Sequence, residues 1–236
     1  MRAVRTQMEV PKMPRVCVFD VNETLLDLSA LDEHFERAFG DASVRRMWFL
    51  QLLQSALVAT VTDAYSEFGA VGAAALQMTT ERLGVELSEQ DRQKILGGMR
   101  ELPPHPEVPK SLDRLRDSGL RLAALTNSTQ QVAEAQLENA GIADRFERIL
   151  SADSVKRLKP APAPYRFAAK SLGVGEGGIR LVAAHSWDVV GAMRAGCAAA
   201  FVARPGMFLD PLAETPDVTG ADLREVAERI VDAEKD

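Results

Sequence analysis

Short apolar runs alternate with helical segments through the second half of the chain, and this alternation restricts the fold more than any other feature. Strands separated by helices of about ten residues are typical of βαβ units, in which neighbouring strands run parallel. The sequence therefore predicts an α/β fold built on a doubly wound parallel sheet. The predicted strands of this region are Leu120–Leu125, Arg148–Leu150, Ile179–Ala184 and Ala199–Ala203, and the predicted helices are Ser111–Ser118, Gln130–Ala140, Pro164–Leu172 and Val189–Ala195.

An earlier strand is separated from this region by a long helical stretch. Arg15–Asp20 is a continuous apolar run that ends on an acid, as expected for a strand covered on both faces. From about residue 31 to 98 the apolar residues recur at helical spacing, with two of the helices expected at Thr79–Leu83 and Ser88–Met99. The proline-rich segment Pro103–Pro109 then acts as a linker.

This organisation predicts two domains. Residues 1–30 and 101–236 form an α/β core domain, and residues 31–100 form a helical cap domain inserted after the first strand. Because ligands in open α/β sheets bind at the carboxyl ends of the strands, the inserted helices are positioned to close over that edge as a lid.

Charge and cysteine content narrow the class of protein. The 28 basic and 34 acidic residues give a formal net charge of −6, which argues against nucleic acid or an anionic membrane as the main partner. The two cysteines provide neither a disulfide framework nor a zinc ligand set. No apolar run is long enough to span a membrane, and the first 14 residues lack the apolar region of a secretion signal. We therefore expect a cytoplasmic protein with an unstructured N-terminal tail.

Polar residues fall at or near the ends of the predicted strands. Asp20 ends the first strand, Thr126 and Asn127 follow the second, Lys159 lies in a proline-rich loop, and Asp188 follows a later strand. A carboxylate such as Asp20 can act as a nucleophile that forms an ester or an acyl phosphate. Each residue also has a structural alternative, which is a helix cap for the acids and the Thr-Asn pair and a solvated side chain for the lysine.

The order of these residues is more specific than any one of them. It resembles the haloacid dehalogenase (HAD) superfamily, from about Val16 to Arg204 and including the helical insertion, and implies a HAD-like Rossmannoid core. Within the superfamily the chain is most similar to the type II, L-2-haloacid dehalogenase branch. The motifs that carry this similarity are Leu125-Thr126-Asn127-Ser128, Lys159-Pro160 with Tyr165 beyond it, and Trp187-Asp188 followed by Gly191-Ala192.

The resemblance implies a hydrolase that acts on a small halogenated carboxylate through a covalent aspartyl ester. Asp20 is then the nucleophile, oriented by Thr24, and Lys159 keeps the crowded carboxylates ionised. Asp188 helps to place the water that hydrolyses the ester, and neither a metal nor another cofactor is expected. The resulting set of catalytic residues is Asp20, Thr24, Lys159 and Asp188, and the substrate-binding set is Asn22, Thr126, Asn127, Tyr165, His185 and Phe49.

Five positions depart from the family pattern. The family motif Asp-x-Tyr-Gly-Thr reads Asp20-Val21-Asn22-Glu23-Thr24, so that Asn replaces Tyr and a charged Glu replaces Gly. The arginine that follows a tryptophan on the first cap helix is Phe49 here. The serine and asparagine of the strand before the last aspartate are Ala183 and His185.

These departures bear on the halide and the substrate more than on the nucleophile. Phe49 offers no donor to a departing halide, and it is also explained as part of the apolar core of the cap. His185 suits proton transfer near neutral pH, although a structural hydrogen bond explains it equally well. We expect slow turnover of ordinary 2-haloacids unless Arg45, Arg46, Asn22 or His185 supplies the missing donor.

Two other functions compete with this interpretation. A HAD phosphohydrolase uses Mg²⁺ and a second aspartate two residues after the nucleophile, where this chain has Asn22, whose amide is no general acid. The second is a catalytically weak HAD-like binding protein, in which Glu23 and Phe49 mark a decayed site. The presence of Asp20, Lys159 and Asp188 together argues against it. The expected partner is a small anionic substrate, with no nucleic acid and no membrane, and a homodimer is left open.

Overall fold

A computed structural model describes residues 15–234 of the chain. The 14-residue segment that the sequence predicts to be an unstructured tail lies outside this range. Within it, no helix combines the length and the apolar character needed to cross a membrane.

The described residues contain a parallel sheet with the order β3-β2-β1-β4-β5-β6. Its strands are β1 (Val16–Phe19), β2 (Leu122–Thr126), β3 (Arg148–Ser151), β4 (Ile179–Ala183), β5 (Ala198–Val202) and β6 (Val218–Gly220). The chain runs outward from β1 to β3 on one side and from β4 to β6 on the other, so the order reverses beside β1. The predicted α/β fold with a doubly wound parallel sheet is confirmed, and its switch point is the place where such sheets bind ligands.

Both faces of the sheet are buried, as the continuous apolar run of β1 predicts. Phe19 packs on one face in the same cluster as Leu112 and Ile230, and Val18 packs on the other with Ala168 and Val189. Because successive side chains of a strand point to opposite faces, the whole of β1 is apolar up to its last residue. The first polar side chain after it, Asp20, therefore emerges at the carboxyl edge of the sheet.

Helices cover these faces, and helices also make up most of the chain between β1 and β2. β6 and the last helix lie beyond the motifs of the sequence and were not predicted. The α-helices of the described residues are α1 (Asp32–Phe39), α2 (Val44–Val61), α3 (Phe68–Leu83), α4 (Glu89–Gly98), α5 (Val108–Asp117), α6 (Gln130–Asn139), α7 (Pro162–Leu172), α8 (Ser186–Arg194) and α9 (Leu223–Ala233).

The stretch between β1 and β2 contains α1 to α4, in agreement with its helical periodicity. Ser88 caps α4 as expected, because its hydroxyl accepts from the backbone N–H of Asp91 at 3.1 Å. Thr79–Leu83 is the last part of α3 and not a separate helix. The division into core and cap domains at residues 30 and 101 stays a prediction.

Three helices begin earlier than the sequence predicts, and α7 does so by two residues, at Pro162. α5 starts at Val108, so the linker is shorter than Pro103–Pro109, and Pro109 lies in the first turn of the helix. Proline is favourable there because the first N–H groups of a helix have no intrahelical acceptor. α8 starts at Ser186, which puts Asp188 inside its first turn.

Candidate active site

Asp20 occupies the carboxyl end of β1 and is only 5% exposed. Its Oδ2 accepts from the hydroxyl of Thr24 at 2.7 Å. The same hydroxyl accepts from the backbone N–H of Ala184 at 2.9 Å, so its own proton points toward Asp20. Thr24 thus links the ends of β1 and β4 and fixes the orientation of the carboxylate.

Arg204, which no sequence motif singled out, stabilises the turn after Asp20. Its Nη2 donates to the carbonyl of Thr24 at 2.8 Å, and its Nη1 pairs with Glu107 at 2.5 Å. A charged residue immediately after the apolar run of β5 is the sequence signal that points to it. Since Arg204 is buried, its two partners keep its charge satisfied while it supports Thr24.

Lys159 is the centre of the site. Its Nζ donates to Asp20 Oδ1 at 2.8 Å, to Asp188 Oδ2 at 2.5 Å and to the carbonyl of Leu125 at 2.9 Å. Burial opposes the charge of Lys159, but the two carboxylates outweigh it and raise its pKa. Burial also opposes the charge of Asp20, yet the ammonium of Lys159 and the ring of His185 hold the pKa of Asp20 below its usual range. The ammonium and the Asp20 carboxylate are therefore both charged at neutral pH.

Asp188 faces the other side of this ammonium. Its Oδ1 accepts from the Tyr165 hydroxyl at 2.6 Å. Burial raises the pKa of Asp188, the nearby charge of Asp20 adds to that rise, and Lys159 opposes it. The two aspartates flank one cation in different environments, with Asp20 the more acidic of the two.

Thr126 ends β2, and Asn127 follows it and contacts the loop that carries Lys159. The amide of Asn127 accepts from the backbone N–H of Lys159 at 2.8 Å and donates to its carbonyl at 3.4 Å. The hydroxyl of Thr126 accepts from the backbone N–H of Ser128 at 3.2 Å. Both residues therefore stabilise the loop geometry, and their part in substrate binding stays a prediction.

His185 contacts the Asp20 oxygen that does not face Lys159. Its Nδ1 is 3.2 Å from Asp20 Oδ2, and its Nε2 is 2.9 Å from Glu23 Oε2. The ring stacks on Trp187 with 5.1 Å between centroids, and Phe49 of α2 lies 6.3 Å away. Burial opposes protonation, but the hydrogen bonds to Asp20 and Glu23 raise the pKa of His185 to about 9.

Glu23 is more than a bulky replacement for a glycine. Its φ of 61° lies in the left-handed region, which explains why the family pattern has Gly at this position. From that backbone its carboxylate reaches His185 on one side and comes within 4.0 Å of the guanidinium of Arg45 on the other. Arg45, on α2, also pairs with Asp32.

The other sequence candidates are placed less centrally. Asn22 is buried, and its side-chain oxygen accepts from Gln136 of α6 at 3.0 Å. Arg46 is exposed on α2, so of the two neighbouring arginines only Arg45 points toward the site. Trp48 belongs to the apolar packing of the inserted helices and donates to the carbonyl of Gly72.

The parallel sheet thus brings a buried, ionised aspartate and a lysine together at the carboxyl ends of its strands, an arrangement that suits an enzyme with a carboxylate at its centre. The sequence profile of the haloacid dehalogenase-like hydrolases matches residues 14–182. The chain is 30% identical to an (S)-2-haloacid dehalogenase of Pseudomonas sp. (strain YL) over 89% of its length and 91% of that protein. It is also 30% identical to haloacetate dehalogenase H-2 of Moraxella sp. (strain B) over 85% and 91% of the two chains.

The fold also matches that of a solved structure. It is the L-2-haloacid dehalogenase from Xanthobacter autotrophicus with chloropropionic acid covalently bound, which superposes with a TM-score of 0.85 and 26% identity over 92% of this chain and 98% of that one. The chain belongs to the haloacid dehalogenase-like hydrolase family, and its relatives are those of the type II branch, as the motifs predict.

Gly191 allows the close packing that keeps Tyr165 on Asp188. A Cβ at this position would lie 2.5 Å from Pro160 Cβ and 2.6 Å from the Tyr165 hydroxyl. We expect Gly191→Ala to lower the free energy of unfolding by about 1–3 kcal/mol through overpacking. In the control Gly97→Ala, a Cβ has no neighbour within 4 Å, and the helix should be stabilised by up to about 1 kcal/mol. Urea denaturation measures both, and equal effects would contradict the packing argument.

Removal of the Lys159 charge tests the electrostatics of the cluster. Lys159→Met leaves Asp188 buried without a cation and Asp20 with only the His185 ring, so unfolding at pH 7 should become easier by about 3–5 kcal/mol. The variant raises the pKa of Asp20 instead of lowering it, and protonation at lower pH then relieves the repulsion, so the deficit should shrink as pH falls. Denaturation at several pH values, with the exposed Lys110→Met as control, measures this trend. A deficit independent of pH would refute it.

Proposed function

We propose that the protein is a dehalogenase that hydrolyses small (S)-2-haloacids through an ester of Asp20. The observation that carries the proposal is the Asp20 carboxylate itself, which is buried and yet held ionised by Lys159 Nζ at 2.8 Å. A desolvated carboxylate of this kind is a stronger nucleophile than one in water. Relatives named as (S)-2-haloacid dehalogenases, and a similar structure with chloropropionic acid covalently bound, support the same chemistry.

The first half of the reaction is a displacement at carbon. An oxygen of Asp20 forms a bond to C2 of the haloacid while the carbon–halogen bond breaks and the halide leaves with the electron pair. Once Asp20 becomes a neutral ester, the Lys159 ammonium keeps its ion pair with Asp188. Thr126 and Asn127, at the end of β2, are the proposed contacts of the substrate carboxylate.

The second half is hydrolysis of the ester. Water attacks the Asp20 carbonyl carbon, so the product hydroxyl keeps the oxygen that came from Asp20. Asp188, whose pKa is raised by burial, is the proposed residue that orients this water, and Tyr165 and Lys159 fix its carboxylate. The balanced reaction converts the haloacid and water into a 2-hydroxy acid, halide and a proton.

The inserted helices are proposed to act as a lid over this chemistry. Phe49 of α2 reaches the ring of His185, and Tyr65, after α2, donates to Asp153 in the segment after β3. Arg157 pairs with Asp63 nearby. These contacts keep water away from the ester until the hydrolytic step.

The phosphohydrolase alternative fits the residues less well. Among residues 15–234, no group of three His, Cys, Asp or Glu side chains is arranged to hold a metal ion. The ammonium of Lys159 already contacts both Asp20 and Asp188, the carboxylates that Mg²⁺ would need. Asn22 stands where phosphohydrolases have an aspartic acid, and its amide cannot act as a general acid for the leaving group.

Two further expectations remain proposals. Exposed apolar side chains along one face of α2, at Leu50, Val58 and Val61, support a homodimer. The two buried free thiols, Cys17 and Cys197, agree with a reducing compartment such as the cytoplasm.

Substitution of the nucleophile tests the covalent mechanism. Asp20→Asn should abolish turnover of (S)-2-chloropropionate with little change in unfolding, because the amide is nearly isosteric but not nucleophilic. A single turnover in H₂¹⁸O should leave the label on Asp20 and not on the product, as found by mass spectrometry. The exposed Asp144→Asn serves as control. Activity above a few per cent in Asp20→Asn, or label in the product of a first turnover, would sink the ester mechanism.

The lack of a halide donor at position 49 predicts slow release of halide. Phe49 gives no hydrogen bond to a departing anion, and loss of one such donor costs about 10²–10³ in rate. We expect weak activity on chloro acids, a turnover rate that varies more with the halogen than in the relatives, and a faster rate in Phe49→Arg. Turnover of fluoro, chloro and bromo acids measures this, and p-nitrophenyl phosphate with Mg²⁺ tests the phosphohydrolase alternative in the same assay. Chloro-acid rates equal to those of the relatives, unchanged in Arg45→Ala and His185→Ala, would contradict it.

A further inference from the structure

His185 is held between two carboxylates. Its Nδ1 faces Asp20 Oδ2 at 3.2 Å and its Nε2 faces Glu23 Oε2 at 2.9 Å. Both partners are acceptors when ionised, and a neutral imidazole has only one N–H. Donation from both nitrogens therefore requires the imidazolium form.

The charges around the ring agree with that form. Asp20 and Glu23 contact it directly, from the end of β1 and from the following turn. The cations Arg45, on α2, and Lys159 lie on the far sides of these two carboxylates, and Asp188 lies beyond Lys159. The uncharged rings of Trp187 and Phe49 lie 5.1 Å and 6.3 Å from the imidazole between centroids. The hydrogen bonds to the two carboxylates outweigh burial and hold the ring between them protonated, with a pKa of about 9.

The two oxygens of Asp20 are not equivalent. Among the described residues, Oδ1 accepts from Lys159, whereas Oδ2 accepts from both Thr24 and His185. Oδ1 is the less occupied oxygen and is the better placed to attack carbon. Oδ2 then becomes the carbonyl oxygen of the ester, and it faces two donors before the reaction begins.

We propose that the Glu23–His185 pair stabilises the oxyanion that forms on Asp20 Oδ2 during hydrolysis of the ester, with His185 as the donor and Glu23 as a positioning residue. This inference rests on the proposed ester mechanism and assigns to one half of it residues that the family pattern does not contain. Thr24 is the second donor to the same oxygen, so the two together form an oxyanion hole.

The step is balanced without a proton transfer to the pair. The water oxygen bonds to Cγ of Asp20, and the carbonyl electron pair moves onto Oδ2, where the N–H of His185 meets the new charge. The tetrahedral intermediate collapses when the carbonyl re-forms and the Cγ–Oδ1 bond breaks. One of the two water protons ends on the product hydroxyl and the other is released, and His185 stays an imidazolium throughout.

The backbone of Glu23 gives independent support. A φ of 61° is unfavourable for a side chain of this size, and such conformations concentrate at active sites where the surroundings enforce them. The strained residue places its carboxylate on the one nitrogen of His185 that does not face the nucleophile. The ring of His105 lies near the backbone of Glu23 and not its carboxylate, with Nε2 3.2 Å from the Glu23 carbonyl oxygen.

The two half-reactions can be separated by trapping the ester. Wild type, His185→Asn and Glu23→Gln are mixed with excess (S)-2-bromopropionate, quenched, and analysed by intact mass. We expect ester hydrolysis to slow by about 10²–10³ in His185→Asn and by about tenfold in Glu23→Gln, as for loss or weakening of one oxyanion donor. Ester formation should change less, so that the adduct accumulates in both variants. His34→Asn and the exposed Glu33→Gln are the matched controls.

A slower formation of ester with no accumulation would overturn the inference, because His185 would then act on the halide or the attack. If wild type forms no ester with any haloacid in the panel, the proposed function itself fails. The two failures are therefore distinguishable.

The charge state of His185 is measurable without substrate. The chain has three histidines, so the ring signals in NMR can be assigned with His34→Asn and His185→Asn. We expect a His185 pKa of about 9 in wild type and a lower value in Glu23→Gln, since the amide no longer favours the cation. Ester hydrolysis in Glu23→Gln should accordingly fall as pH rises through that lower pKa. A neutral His185 at pH 7 in wild type, or a pKa that Glu23→Gln leaves unchanged, would overturn the inference even if a variant folded poorly.

Discussion

The ammonium of Lys159 is the interaction on which the site depends. It is almost completely buried and contacts two carboxylates and one backbone carbonyl. Without it, Asp20 would keep only the His185 ring and Asp188 would have no ion pair among the described residues, and a buried carboxylate that lacks a cation takes up a proton. Since a buried cation is equally unstable alone, the three groups form one unit whose members depend on one another.

Much of the surrounding structure serves to keep this unit in register. Asn127 binds both backbone polar groups of Lys159, Tyr165 holds Asp188, and Gly191 leaves room for that tyrosine. These residues come from segments after β2, from α7 and from α8, so the geometry exists only when the sheet has assembled. The charges of the site are consequently positioned only in the folded sheet.

The sequence predicted the sheet and the elements around its switch point because periodicity and strand-end chemistry are local signals. It missed β6 and α9, which follow the last motif, and it began α5 and α8 late because proline and aspartate in a first helical turn resemble a loop. Strand-end positions singled out Asp20, Lys159 and Asp188, and the resemblance then implied their roles. It did not select Arg204 and treated Glu23 only as an anomaly, because their roles arise from contacts between residues far apart in the chain.

The near-complete burial of Asp20 and Lys159 has a kinetic consequence. Under the proposed lid, a small molecule reaches the carboxylate when the contacts between α2 and the rim of the sheet separate, and the alcohol that forms leaves by the same route. Each proposed catalytic cycle would then include two barrier crossings that involve no covalent bond. The rate of this separation would limit turnover in a way that faster chemistry at Asp20 could not relieve, and substitutions along α2 would change the rate without contacting a reacting atom.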